Sequence, residues 1–255
     1  MVVQLFPTCL LNEFRPDAGM AVARVLEREG CEVVLPEGLT CCGQPAFNAG
    51  FHDEARQVAR YTIGVLASTD GPIVVPSGSC CDMLVHQNAE LFRDDPAMAA
   101  TARDVAGRCR EFSQFVAGRR GLGSKRAGPP TQIPASAAAP AKTRVAYHPS
   151  CHLLRGLRVR REPLDLIAGV ENAEAVKFDE QEECCGFGGL FSIKNAEISA
   201  SMMERKLTAI EASGAERLVS CDLGCLLHLE GGLRRRGATI RAQHLAELLD
   251  EGTTP

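Results

Sequence analysis

"ECCGFGG" (residues 183–189) and "TCCGQPA" (residues 40–46) each set two adjacent cysteines against a glycine. The cysteines around them recur in the same order. Cys9, Cys41, Cys42 and Cys80 are answered by Cys151, Cys184, Cys185 and Cys225, at offsets of 142, 143, 143 and 145 residues. A near-constant offset marks a duplicated structural unit. Between the copies, residues 118–143 read "GRRGLGSKRAGPPTQIPASAAAPAKT", rich in Gly, Pro, Ala and Ser and without an apolar period, which predicts a flexible linker. The expected organisation is a first sub-domain over 1–117, the linker over 118–143 and a second sub-domain over 144–255.

Local patterns match across the two copies. "VVQLF" and "TRVAYH" are short β-rich runs that end just before Cys9 and Cys151. Helical stretches follow: "PDAGMAVARVLEREG" starts at Pro16 and Asp17 and stops at Gly30, and "REPLDLIAGV" is its shorter counterpart. "CEVVLP" and "EAVKFD" then deliver the chain into the two CCG loops. "HDEARQVARYTIGVLAST" and "NAEISASMMERKLTAIEASG" carry apolar residues at helical spacing, and "PIVVPSGSC" and "RLVSCDLGC" run from strand into a loop holding the last cysteine. Alternating strand and helix predicts an α/β fold: two duplicated Rossmann-like sub-domains, each with a small, mostly parallel sheet and its cysteines beyond the strand ends.

Composition narrows the chemistry. Hydrophobic residues make up 45% and charged residues 24%, which is ordinary for a globular chain, and a net charge of -4 offers nothing to nucleic acid. No stretch approaches the roughly 20 apolar residues of a membrane span, and the opening residues lack a secretion signal, so a cytoplasmic protein is expected. In that compartment twelve cysteines favour metal or redox chemistry over disulfides. Between Cys9 and Cys41 lie 31 residues and between Gly43 and Cys80 lie 36; the second copy has 32 and 38. Three loops at one sheet edge can thus bring four thiolates to one point, enough for zinc or an iron-sulfur cluster. Adjacent cysteines chelate one small ion awkwardly but reach different atoms of a cluster, and a neighbouring glycine lets backbone amides face the sulfurs.

The ladder, with "HPSCHLLRG" around Cys151, "ECCGFGGLFS" and "SCDLGCLLHLEG", resembles the cysteine-rich CCG-domain family. Members include the cysteine-rich component of heterodisulfide reductase, the iron-sulfur component of glycolate oxidase and the lactate-utilization protein A group, to which the likeness is strongest. The resemblance implies one or two four-iron four-sulfur clusters, of the noncubane kind in the heterodisulfide reductase. It implies a non-flavin iron-sulfur electron-transfer subunit of an oxidoreductase complex that takes L-lactate to pyruvate. The implied partners are a ferredoxin-like iron-sulfur subunit and a third subunit. Other readings are a subunit of a glycolate oxidase or disulfide reductase complex, a zinc-stabilised interaction module, and a thiol-disulfide enzyme using a vicinal pair.

The family pattern is one cysteine, then CCG, then C-x-x-C, and this chain departs from it twice. Ser77 takes the place of the first C-x-x-C cysteine, leaving Cys80 with Cys81 beside it, while Cys221 and Cys225 have three residues between them rather than two. The expected metal ligands are therefore Cys9, Cys41, Cys42, Cys80, Cys151, Cys184, Cys185 and Cys225, with Cys221 as a further cofactor-binding candidate and zinc as an alternative occupant of the first site. The two sites are expected to be unequal. Cys31, opening a strand, and Cys109, in a helical stretch, read as structural; for Cys81 both readings stand. His148 and His152 flank Cys151 as cluster hydrogen-bond donors or packing residues, while His228 and His244, in apolar helical surroundings, read as ordinary histidines. The "RRR" at 234–236 reads as a solvated helix end, and "GFGG" at 186–189 lacks the spacing and lysine of a phosphate loop.

Overall fold

The computed structural model describes residues 1–122 and 142–252. The first half runs β1 (Val2–Leu5), α1 (Cys9–Phe14), α2 (Pro16–Arg28), β2 (Glu32–Val34), α3 (Gln44–Asn48), α4 (His52–Ala67), β3 (Ile73–Val75), α5 (Gly78–Asp82), a π-helical turn (Met83–Gln87), α6 (Asn88–Leu91), α7 (Pro96–Arg108), β4 (Cys109–Glu111) and α8 (Phe112–Arg119). The second runs β5 (Thr143–Tyr147), a π-helical turn (His152–Gly156), α9 (Glu162–Ala168), β6 (Ala173–Val176), α10 (Phe191–Lys194), α11 (Ala196–Ala212), β7 (Arg217–Ser220), α12 (Leu223–Arg236), β8 (Arg241–His244) and α13 (Leu245–Glu251). Each half holds a four-stranded, wholly parallel sheet, in the orders β2-β1-β3-β4 and β6-β5-β7-β8. The two orders are the same once β1 is matched to β5. The α/β architecture of two duplicated Rossmann-like units is the one expected. Of the stretch 118–143, Gly118 and Arg119 close α8 and Thr143 opens β5, while 123–141 lie outside the described residues.

The strands form where β-branched residues are buried on both faces: Ile73, Val74 and Val75 of β3 have no exposed surface. The fourth strand of each sheet has no counterpart in the sequence pattern. β4 is only three residues long, too short to display an alternation, so Cys109 lies in a strand and not in a helix. His244 likewise ends β8 and caps α13, its ring accepting from the Ala246 amide while Glu247 accepts from the His244 amide.

The halves share a core. Along α2, Ala18, Ala21, Val22, Val25 and Leu26 are buried at helical spacing, and one apolar cluster joins Val22, Val25 and Leu5 to Tyr147, Leu166, Leu248 and Leu249 of the second half. Arg24 and Arg28 reach Asp250 of α13 at 2.6 and 2.7 Å, and Arg15 reaches Glu230 of α12 at 2.7 Å. Exposed ion pairs are worth about 0–1 kcal/mol each, whereas each buried valine or leucine contributes about 1.5–3 kcal/mol. Apolar packing therefore holds the halves together, and the ion pairs fix its register. Among the described residues no helix is long and apolar enough to cross a membrane.

Glu111 ends β4, is fully buried and caps α8, its Oε2 accepting from the Ser113 amide (2.8 Å) and the Gln114 amide (3.2 Å), while Oε1 has no partner. Burial outweighs these bonds and raises its pKa from 4.5 to about 7. The fold thus favours the protonated acid. Its contribution to stability is fully present below pH 4.5, erodes as the pH rises and is lost above about 7. Glu111→Gln keeps an acceptor for the two amides and removes the titration. Anaerobic denaturation should show the variant gaining on the wild type between pH 5 and pH 8, by up to roughly 3 kcal/mol; parallel pH profiles would contradict this.

Candidate metal centres

Three loops in each half carry the thiols, all beyond the carboxyl ends of strands. Cys9 opens α1 after β1, where Thr8 Oγ1 accepts from the Leu11 amide at 3.4 Å; in the second half Ser150 Oγ accepts from the Leu153 amide at 3.3 Å beside Cys151. The CCG loops follow β2 and β6. Gly43 and Gly186 adopt φ of 88° and 91°, a region that penalises any side chain. A Cβ on Gly186 would lie 2.6 Å from the Ser199 carbonyl, and one on Gly43 would lie 3.3 Å from that of Ala55. Glycine therefore lets each loop rest on the helix after it, α11 or α4, and turns amides toward sulfur: Gly43 N to Cys41 Sγ is 3.5 Å, Gly186 N to Cys184 Sγ 3.4 Å and Phe187 N to Cys185 Sγ 3.5 Å. Cys80 and Cys225 stand in the first turns of α5 and α12, beyond β3 and β7, their amides capped by Ser77 and Asp222.

The sulfurs of each half form a continuous chain. Cys9 Sγ lies 3.9 Å from Cys41 Sγ, Cys41 bonds Cys42, and Cys42 bonds Cys80; Cys151, Cys184, Cys185 and Cys225 repeat the order. Hydrogen bonds from Cys42 and Cys9, with the Gly43 amide, hold Cys41 far below the usual thiol range. Cys184 is lowered in the same way by Cys151, Cys185 and the Gly186 amide. Cys9 and Cys42 are raised by their bonds to Cys41 and by burial, as Cys151 and Cys185 are by Cys184. Such shared protons are those a thiophilic metal displaces. All twelve cysteines are free.

The two groups border one cavity of about 250 Å³. Cys9, Cys42 and Cys80 line it from one half and Cys151, Cys184, Cys185 and Cys225 from the other, while Cys41 touches Cys9. Asp222 stands between the groups: its Oδ2 accepts from the Ser79 amide (2.9 Å) and the Ser77 hydroxyl (3.2 Å) of the other half. Four thiols in contact, with amides aimed at them, suit a sulfur-rich metal group in each half.

Cys221 does not reach this cavity. Fully buried in the core between the halves, it lies 3.8 Å from the Tyr147 hydroxyl. Sequence spacing pairs Cys221 with Cys225, but the residue that occupies the place of Ser77 is Asp222. Both are helix N-caps three residues before the last cysteine. Four thiols of each half are thus grouped at or beside the cavity, and Cys221 is not among them. Cys81 is buried away from the cavity near Cys109 and Glu111, and burial raises its thiol and that of Cys109, the latter to about 12. Cys31 belongs to the apolar core.

The sites differ in what surrounds the thiols. His148 follows β5 and its amide donates to Val219 of β7, as the Phe6 amide donates to Val74 of β3, so Phe6 is its counterpart. His148 is fully buried, neither ring nitrogen has a partner, and a ring nitrogen lies within 4.8 Å of the Cys185 and Cys225 sulfurs. Burial, then Lys206, lowers its pKa to about 3. Lys206 of α11, fully buried, donates to the Glu180 and Gln181 carbonyls at 2.7 and 3.2 Å; the matching position of α4 is Thr62, which donates to the Cys41 carbonyl at 2.7 Å.

His152 lines the cavity. Its Nδ1 is 2.6 Å from Asp82 of the other half, whose second oxygen lies 2.7 Å from His86 Nδ1, and Gln44 is 3.3 Å from His152 Nε2. The Asp82 bond raises the His152 pKa. Burial would raise that of Asp82, but the two histidines together lower it. A Cβ on Gly156 would come within 2.4 Å of Asp82 Oδ1, so glycine admits the carboxylate. His228 packs tilted on Phe187 at 5.9 Å. Arg236, last of the "RRR" run, pairs with Glu204 and Glu211. Asp82, Asp222, Lys206 and Gln44 are not singled out by sequence motifs.

The cysteine-rich CCG domain matches the chain twice, over residues 3–85 and 145–230. Full-length relatives are similar: lactate utilization protein A of Shouchella clausii is 41% identical over 250 residues, covering 98% of this chain and 99% of the relative. The proteins of that name from Halalkalibacterium halodurans and Bacillus subtilis are 40% and 37% identical, again over 98% of this chain and covering 97% and 99% of theirs.

The glycines supply a test of the loop geometry. Gly189 also has positive φ, 61°, but a Cβ there meets nothing. Gly189→Ala should cost the backbone penalty of about 1–2 kcal/mol. Gly186→Ala adds a clash with a helix carbonyl, so it should melt at distinctly lower temperature and lose bound metal. Equal melting temperatures and metal contents would contradict the assignment.

Proposed function

The chain belongs to the cysteine-rich CCG-domain family, within the lactate utilization protein A group, and from that premise we propose that it is an iron-sulfur electron-transfer subunit of lactate utilization. The carrying observation is the pair of four-thiol groups at one cavity, which all but Cys41 line and which Cys41 adjoins through Cys9. We read each group as the holder of an iron-sulfur cluster: Cys9, Cys41, Cys42 and Cys80 in the first half, and Cys151, Cys184, Cys185 and Cys225 in the second. Such clusters, when bound, take up and release electrons at potentials set by burial, charge and hydrogen bonds to sulfur.

The protein's own part is to hold and tune. The thiols supply the ligands and the loop amides of Gly43, Gly186 and Phe187 donate to their sulfurs, which favours the reduced, more negative state. The cavity brings both groups to one space, so clusters held there would lie close enough to exchange electrons between the halves. His152, bonded to Asp82, holds a proton at the cavity wall. In this reading the complex oxidises L-lactate to pyruvate in the cytoplasm, and a ferredoxin-like iron-sulfur subunit and a third subunit supply what this chain lacks. We also read the halves, 1–117 and 144–255, as sub-domains that arose by duplication, one for each cluster.

Anaerobically purified protein should be brown and contain iron with acid-labile sulfide. Colourless protein holding only zinc would contradict the proposal. Cys225→Ser should lower the iron content to about half, one of two clusters being lost. Cys221→Ser, altering a sulfur outside the cavity, should keep the iron. If Cys221→Ser lost iron as Cys225→Ser does, the assignment of ligands would be wrong.

A further inference from the structure

The two thiol groups are alike in number and in chain order, but the residue packed against them is not. At the first residue beyond the strand, the first half has Phe6 in an apolar cluster with Cys42 and Cys80, and the second has His148. A buried polar group without a partner is costly, and one that a fold retains calls for a reason, a bound ion among them. Both nitrogens of His148 are in that state, and one lies within 4.8 Å of two cysteine sulfurs. No polar side chain among the described residues takes up either nitrogen, yet the ring stands where the first half manages with a phenyl. Behind the cavity wall that Cys185 and Cys225 form, the buried ring thus sets a nitrogen lone pair beside their two sulfurs.

We propose that His148 is a metal ligand of the second site, joining a ring nitrogen to the Cys185 and Cys225 sulfurs, while the first site, with Phe6 in the same place, is ligated by sulfur alone. This rests on the metal-site reading above. With all four thiolates of the second group kept, His148 would add a neutral nitrogen donor to one centre only, so two centres alike in sulfur would differ in potential. Unequal potentials would give electron transfer across the chain a direction that two identical centres lack.

The test uses the full chain, purified anaerobically with its metal and labelled with isotopic nitrogen in histidine. Pulsed electron paramagnetic resonance of the reduced protein should give the strong coupling of directly bound nitrogen at one centre and none at the other. His148→Phe, which copies the first site, should abolish that coupling and shift the midpoint potential of one centre only, whereas His152→Gln should keep the coupling. Should His148→Phe fail to fold, the labelled wild type decides alone. Full iron and sulfide with no coupling, or only the weak coupling of a hydrogen-bonded ring, would overturn the proposal and leave the cluster reading intact. Protein without labile sulfide would overturn the cluster reading instead. In that case X-ray absorption at the zinc edge would support His148 by a nitrogen among the sulfur neighbours and contradict it by sulfur alone.

Discussion

A buried thiol gives up its proton only where something nearby stabilises the charge, and in this protein that something is other thiols and the amides of a glycine turn. Cys41 and Cys184 are lowered because sulfurs on each side and an amide in front bond to them; their neighbours are raised for the same reason. The arrangement requires three loops to arrive together in each half. Parallel strands of the same order provide this, since β1, β2 and β3, like β5, β6 and β7, all end on one edge. The rest of the structure serves that convergence. α2, packed on α13 with apolar residues and trimmed by the Asp250 ion pairs, brings the two edges together around one cavity.

Much of this is legible in the chain. The repeated cysteine ladder marks the duplication, and the alternation of β-branched runs with helical periods marks the α/β class and three strands of each sheet. The fourth strands are too short to show a period. β4 is three residues between two helices, and β8 ends in a histidine that the apolar run after it makes look helical. The eight laddered cysteines follow from spacing, and the structure gathers them in two groups. Cys221 misleads because cysteine-to-cysteine spacing is blind to helix phase. What repeats is the N-cap, Ser77 and Asp222, and only a structure displays which residue that is. Asp82 and Lys206 are hidden for another reason: each acts across a long separation in sequence, Asp82 on His152 and Lys206 on the loop before the CCG turn.

Duplication leaves each half a record of the other, and their differences carry the functional content. Thr62 and Lys206 perform one structural task, holding the chain that leads into a CCG turn, but one is neutral and the other an amine buried near the second group of thiols. Phe6 and His148 fill one place with a hydrocarbon and with an imidazole lacking partners. Asp222 caps its own helix and also accepts from Ser77 and Ser79 of the other half, so the two sites are tied at the residue that separates them. Two groups of thiols alike in order thus have unlike surroundings beside a single cavity.

On the proposed reading two metal centres face each other across that cavity, one on each set of four cysteines. Anomalous scattering at the iron edge from anaerobically grown crystals tests it directly. Two iron peaks are expected, one within reach of Cys9, Cys41, Cys42 and Cys80 and one within reach of Cys151, Cys184, Cys185 and Cys225. A single peak, or iron bound away from these sulfurs, would contradict it.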